Sequence, residues 1–252
     1  MYLAVDVGNS SISIALVENQ ILKKINLELS QNFTLEYYEM LFRELFSDVK
    51  IEGCIISSVN IELNNILKYA VDEVFGISSV FLDVNSMNVG IKINAKNPDQ
   101  VGADRIANVY AAIKLYETPA IVVDMGTATT FDIVGKNEDF IGGIIIPGIG
   151  TQLKSLYNNT SLLPEIKPKE IEKVIGTDTE SCILSGVIRG HAAAVDGLLT
   201  ECKKELGYKN IKIIGTGGYM ELISKYMKHN FDYANVNLTL EGIRLIYELN
   251  QK

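Results

Sequence analysis

At 252 residues the chain can bury a substantial core, as one large domain or two of ordinary size, and its 47% apolar and 21% charged residues exclude intrinsic disorder. A net charge of −8 argues against general affinity for nucleic acid or anionic membranes, since either needs a basic face. Any anionic ligand must be gripped locally, by backbone N–H groups, a bound cation or a few basic side chains.

Cys54, Cys182 and Cys202 lie far apart without C-x-x-C spacing, and an odd count in so long a chain is no disulfide framework, so a reducing cytoplasm is expected. The opening Met1-Tyr2-Leu3-Ala4-Val5-Asp6 lacks a basic stretch and soon meets a carboxylate. No apolar run reads as long enough to span a bilayer, so neither export nor membrane insertion is expected.

In chain order, residues 3–17 read as strand, Gly/Asn turn and strand, a β-hairpin. Residues 33–46 carry helical apolar spacing, 54–59 form a buried strand, 61–75 a second helix and 80–82 a further strand. A helix begins near Asp104, with Ile106, Val109, Tyr110 and Ile113 on one face, and ends before Pro119. Residues 121–134 then repeat the opening hairpin. Helices are predicted over 148–157, from about 179 to 206, from 219 and over 240–249, with a connector through Pro164 and Pro168 and a strand at 211–214. A repeat half a chain apart predicts a duplicated domain rather than a solenoid. The alternation of strands and helices predicts an α/β protein with mixed sheets, divided into lobes 1–117 and 118–252.

The repeated turns are the first candidate site. In Asp6-Val7-Gly8-Asn9, followed by Ser10 and Ser11, a tight turn can aim several N–H groups and hydroxyls at one phosphate, and Asp6 can hold Mg²⁺ directly or through water. An ordinary hairpin with a solvated Asp is the other reading of one such turn. Asp124-Met125-Gly126-Thr127, with Thr129 and Thr130 behind it, supplies a second, and two such turns facing each other across a cleft would clamp the phosphates of a nucleotide. In Gly215-Thr216-Gly217-Gly218 the missing side chains would admit a base or ribose. That loop is no dinucleotide fingerprint, because Met220 stands where the last glycine belongs, and no P-loop motif occurs. Asp104 reads either as a general base or as a helix cap, and Arg105 either as a cationic contact or as a solvated first-turn residue. Thr177 and Glu180 offer a capping box beside Thr179. His191 and His229 lack ligand-like neighbours in sequence, and His191 sits in an Ala-rich helix.

Taken in order, the Asp6 turn, Gly102-Ala103-Asp104-Arg105, Asp124-Met125-Gly126-Thr127-Ala128-Thr129-Thr130, Gly142-Gly143 with Pro147-Gly148, Ile175-Gly176 with Thr179, and Gly217-Gly218 resemble the type III pantothenate kinases over essentially the whole chain. The turns alone resemble the wider actin, Hsp70 and sugar kinase superfamily. The resemblance implies duplicated actin-like, ribonuclease H-like lobes with an ATP cleft between them, and a cytoplasmic homodimer. It implies that Asp6, Val7, Gly8, Asn9, Ser10, Ser11, Ile12 and Ser13 bind ATP phosphates and Mg²⁺, that Thr127 contacts ATP, and that Asp124 ligates K⁺ or NH₄⁺. Gly217 and Gly218 fall on its nucleotide side. Gly102, Ala103, Asp104 and Arg105 would hold pantothenate, with Asp104 as general base and Thr179 as a further contact.

One position departs from the pattern. Where the family usually has a pantothenate-lining tyrosine, seven places before Gly102, this chain has Ala95. The change removes contact area and a hydrogen-bonding hydroxyl from the acceptor side and leaves the ATP turns intact. Phosphorylation of pantothenate, the first step toward coenzyme A, is the leading expectation. A same-fold kinase for another small alcohol and a nucleotide-binding regulator without turnover are the alternatives.

Overall fold

The near-continuous apolar run at the start of the chain forms a central strand covered on both faces. The computed structural model describes residues 1–29 and 34–251. Phe33, the predicted start of the first helix, lies outside them. Within the first unit the chain runs β1 (Tyr2–Val7), β2 (Ser11–Val17), β3 (Ile21–Glu28), α1 (Leu35–Phe46), β4 (Gly53–Ser58), α2 (Ile61–Phe75), β5 (Val80–Phe81), β6 (Lys92–Ile93), a 3₁₀ turn at Pro98–Gln100 and α3 (Ala103–Leu115). The first sheet has the order β3-β2-β1-β4-β5. Its β1–β2 and β2–β3 pairs are antiparallel, and its β1–β4 and β4–β5 pairs are parallel.

Alternation along β1 divides the core. Leu3, Val5 and Val7 face Tyr38 and Phe42 of α1 and Leu67 of α2. Ala4 faces the other way, toward Ile106 and Ala107 of α3. Thr34 caps α1 by accepting a hydrogen bond from the Tyr37 N–H (3.2 Å), which satisfies one of the free donors of the first turn.

The second unit repeats the plan: β7 (Ala120–Met125), β8 (Ala128–Val134), β9 (Asp139–Pro147), α4 (Ile149–Asn158), α5 (Thr179–Leu184), a π-helical segment (Ser185–Arg189), α6 (Gly190–Leu206), β10 (Lys212–Thr216), α7 (Met220–Ser224) and β11 (Tyr233–Ala234). Its strands lie in the order β11-β10-β7-β8-β9. The β7–β8 and β8–β9 pairs are antiparallel, and the β7–β10 and β10–β11 pairs are parallel. Within the unit, these five strands repeat the order of the first sheet.

The final helix, α8 (Leu238–Leu249), departs from the expected division at 117/118. The compact units are Met1–Leu115 with Leu238–Lys252, and Tyr116–Asn237. Ile243 and Ile246 of α8 join the core over α3. The helices touch so closely that a Cβ on Gly242 would fall 1.9 Å from the Ala107 carbonyl oxygen. The chain therefore returns to its first unit to cover the open face of β1.

Two local expectations also change. The helix predicted over 179–206 contains the π-helical segment, and its cap runs from Asp178 to Ser181 instead of from Thr177 to Glu180. Asp178 accepts from the Ser181 N–H at 2.9 Å. By length and composition alone, Thr179–Leu206 would pass for a membrane span, against the sequence reading. Ala192, Val195 and Leu199 of this stretch are buried in the core of the second unit, as in a core helix.

Candidate active site

Each unit ends its first strand in an aspartate followed by an apolar residue and a glycine. In the first unit the Gly8 N–H donates to the Ser11 carbonyl (2.9 Å), leaving Asn9 and Ser10 exposed at the tip. In the second the Gly126 N–H donates to the Ala128 carbonyl (3.0 Å), leaving only Thr127 there. The second turn is thus one residue tighter, although the sequences look like copies. Asp6 pairs with Ser13 and Asp124 with Thr130 across their hairpins.

Neighbouring segments brace both turns alike. Val59 after β4 donates its N–H to the Val7 carbonyl (3.0 Å), and Tyr219 after β10 donates to that of Met125 (3.0 Å). Leu29 donates to the Ser10 carbonyl (2.9 Å) and Gly148 to that of Thr127 (3.0 Å). Thr151 Oγ1 adds a second donor to Thr127 O at 2.6 Å. Gly217 has φ +92°, and a Cβ there would lie 2.5 Å from both Asp124 Oδ1 and the Met125 nitrogen. Its glycine character therefore serves contact with the strand of Asp124. Gly218 is exposed, and a Cβ there would meet nothing within 4 Å.

Gly8 and Gly126 behave differently. Neither has positive φ, and a Cβ would meet only Ser11 O at 3.3 Å in the first, and Ala128 O at 3.5 Å and Asp124 Oδ1 at 3.7 Å in the second. Folding does not demand glycine at Gly126. The space that a side chain would fill is a cradle suited to phosphate oxygens approaching the backbone. Val7 and Ile12 are buried in the core, so only their backbone atoms can serve a ligand.

Around Asp6, Ser57 Oγ donates to its Oδ1 at 3.0 Å. Lys24 on β3 is half-buried, and burial lowers its pKa against the opposing charge of Asp6. Sequence reasoning misses Lys24 because β3 does not announce itself as a strand. Among the described residues no cluster of three or more His, Cys, Asp or Glu could hold a metal ion. A divalent ion bound at Asp6 would need phosphate oxygens and water for the rest of its shell.

Asp104 lies in the first turn of α3, where its Oδ1 accepts from the Arg105 N–H at 2.8 Å. Because α3 begins at Ala103, Asp104 sits inside the helix and bonds to the adjacent N–H, so it is not the N-cap. Burial pushes its carboxyl pKa above the ordinary value, while the Arg105 N–H and charge pull against it. A Cβ on Gly102 would lie 2.4 Å from Asp104 Oδ1 and 3.6 Å from Val59 Cγ1. Val59 thus touches the Asp6 turn through its N–H and the Gly102 segment through its side chain, so both meet at one end of the first sheet. Thr179, by contrast, is exposed at the start of α5, next to residues Thr177, Asp178 and Glu180 that line a surface pocket of about 350 Å³.

Two sheets of the same strand order, each with an aspartate-bearing turn after its first strand, define the actin-like kinase fold. A ROK family glucokinase from Streptomyces griseus, solved in complex with glucose and AMPPNP, shares this architecture: TM-score 0.54, 12% identity, covering 98% of this chain and 99% of the other. The chain belongs to the type III pantothenate kinase family, whose sequence profile matches residues 2–201. A type III pantothenate kinase of Koribacter versatilis is 37% identical, with 100% of this chain and 96% of that protein covered. One from Exiguobacterium sp. is 36% identical with both chains fully covered.

Proposed function

We propose that the protein transfers the γ-phosphoryl group of ATP to the terminal hydroxyl of pantothenate, giving ADP and 4′-phosphopantothenate, with Asp104 as general base. The proposal rests on family membership and on one observation: the Asp6 turn and Asp104 meet at the same end of one sheet, joined through Val59. Phosphoryl transfer needs this combination of a phosphate grip and a carboxylate near the acceptor hydroxyl.

Asp104 takes the hydroxyl proton as the acceptor oxygen bonds to phosphorus and the bond to the ADP oxygen breaks. Gly102, Ala103 and Arg105 hold the acceptor, and Thr179 contacts it. The backbone of 6–13 binds ATP phosphates, Thr127 contacts ATP, and Gly217 and Gly218 lie on the nucleotide side. Mg²⁺ at Asp6 offsets phosphate charge, and Asp124 holds K⁺ or NH₄⁺. The protein works as a homodimer in the cytoplasm, where its three free cysteines stay reduced.

Purified protein with ATP, Mg²⁺ and K⁺ should release ADP only when pantothenate is added, and Asp104→Asn should abolish this while remaining folded. Release independent of pantothenate would sink the assignment. Ala95 favours a second reading, a kinase for another small alcohol. A panel of acceptors separates the two, and repeating it with Na⁺ tests the cation.

A further inference from the structure

Beneath the second turn lies a buried polar group that the proposed chemistry leaves unused. His191, at the start of α6, is 3% exposed and touches two other elements. Gln152 Nε2 on α4 donates to the Pro147 carbonyl (2.9 Å) and to His191 Nδ1 (2.9 Å). With Nδ1 accepting, the ring proton sits on Nε2 and is donated to Thr129 Oγ1 at 3.0 Å. Burial holds the ring pKa below its ordinary value, which keeps this neutral tautomer.

Thr129 is 1% exposed and pairs across the β7–β8 hairpin with Met125, the residue between Asp124 and Gly126. The path His191–Thr129–Met125 therefore ends at the turn itself. Gly148 and Thr151, on the same segment as Gln152, tie the start of α4 to the Thr127 carbonyl from the other side. Directly before His191 the helix widens into the π-helical segment Ser185–Arg189. Such widenings are rare and concentrate at functional sites. This one precedes two aimed side chains: Arg189 reaches outward to the Glu172 carbonyl (2.9 Å), and His191 points inward. A fully satisfied buried polar network of this kind fixes one orientation of its members.

We infer that His191 is a positioning residue for ATP binding, holding Thr129 and through it the Gly126–Thr127 backbone in the conformation that receives phosphate. The inference rests on the proposed ATP role of that turn. Its test compares wild type with Thr129→Val, His191→Phe, the double variant and His191→Gln. The readouts are Kd for the non-hydrolysable analogue AMPPNP with Mg²⁺, KM for ATP and for pantothenate, and the melting temperature.

Each single variant should weaken AMPPNP binding about tenfold, the scale of one lost buried hydrogen bond with its partner left unsatisfied. The double variant should be no worse than the weaker-binding single, because both break one path. KM for pantothenate should stay within about twofold, and His191→Gln, whose amide can still donate to Thr129, should recover most of the affinity. Wild-type affinity in Thr129→Val and His191→Phe, with only the melting temperature lowered, would overturn the inference, as would an additive double variant. If wild type shows no pantothenate-dependent ADP release, the kinase assignment fails, while the AMPPNP comparison still decides the role of His191.

Discussion

Two glycines beside the second turn should respond to alanine in opposite ways. A Cβ on Gly148 would lie 2.2 Å from Gly126 O, 2.6 Å from Thr127 O and 3.0 Å from Thr127 C, all backbone atoms. Against a favourable separation of about 3.5 Å, the first contact is short by roughly 1.3 Å, and no side chain can swing away to relieve it. Overpacking of this kind costs about 1–3 kcal/mol, which for a chain of this size lowers the melting temperature by roughly 2–12 °C. Gly126 is unlike it. Its Cβ would sit 3.5 Å from Ala128 O and 3.7 Å from Asp124 Oδ1, ordinary contacts, and its φ is not positive. Gly126→Ala should therefore melt at or slightly above wild type, since alanine also restricts the unfolded chain by about 0.4–1 kcal/mol. The added methyl occupies the phosphate cradle instead. Loss of one charge-assisted hydrogen bond, about 1.5–3 kcal/mol, predicts AMPPNP binding weaker by roughly 10- to 150-fold. Thermal melts and equilibrium binding on the two variants decide the matter. Wild-type affinity in Gly126→Ala would rule out a phosphate cradle at Gly126, and a melting temperature as low as that of Gly148→Ala would rule out free space there.

Because burial raises the Asp104 pKa, the acid limb of kcat/KM should fall at a pH above about 3.9, where an ordinary aspartate titrates. A raised folded pKa means that ionising Asp104 costs stability as pH rises through it, so Asp104→Asn should melt above wild type at neutral pH while kcat drops roughly 10²- to 10⁴-fold. Lys24→Met keeps the apolar stem and deletes the charge beside Asp6; KM for ATP should rise about tenfold, measured by ADP release, with no loss of melting temperature. Asp196 accepts from the N–H groups of Lys228 (2.7 Å) and His229 (2.9 Å) and from His229 Nδ1 (3.0 Å). Burial alone would raise its pKa, but these donors outweigh burial and lower it. Its stabilisation is thus present above the unfolded pKa and lost as pH falls through the folded one. Asp196→Ala should cost at least about 1.5–3 kcal/mol in urea titrations at pH 7, and the gap should narrow below about pH 4.

Local signals carried much of this fold. The apolar runs of β1, β4 and β7, the helix Ile61–Phe75 and the two aspartate turns depend on residues adjacent in sequence, whose burial pattern shows directly in composition and period. Strands β3 and β9 escape such a reading because β3 has only half-buried and exposed positions and most of β9 is the same, so their strand character comes from pairing with β2 and β8. The return of α8 to α3, the demand for glycine at Gly148 and the aim of His191 at Thr129 join residues distant in sequence, with nothing local to announce them. Even the repeated turns were only half legible. The residue order alone reveals two Asp-x-Gly turns and, with Gly102-Ala103-Asp104-Arg105 between them, the family of the chain. Tertiary structure decided that the second turn is one residue tighter, that Gly126 leaves space while Gly148 has none, and that a buried histidine braces it, because hydrogen-bond register and steric clearance arise only when separate segments meet.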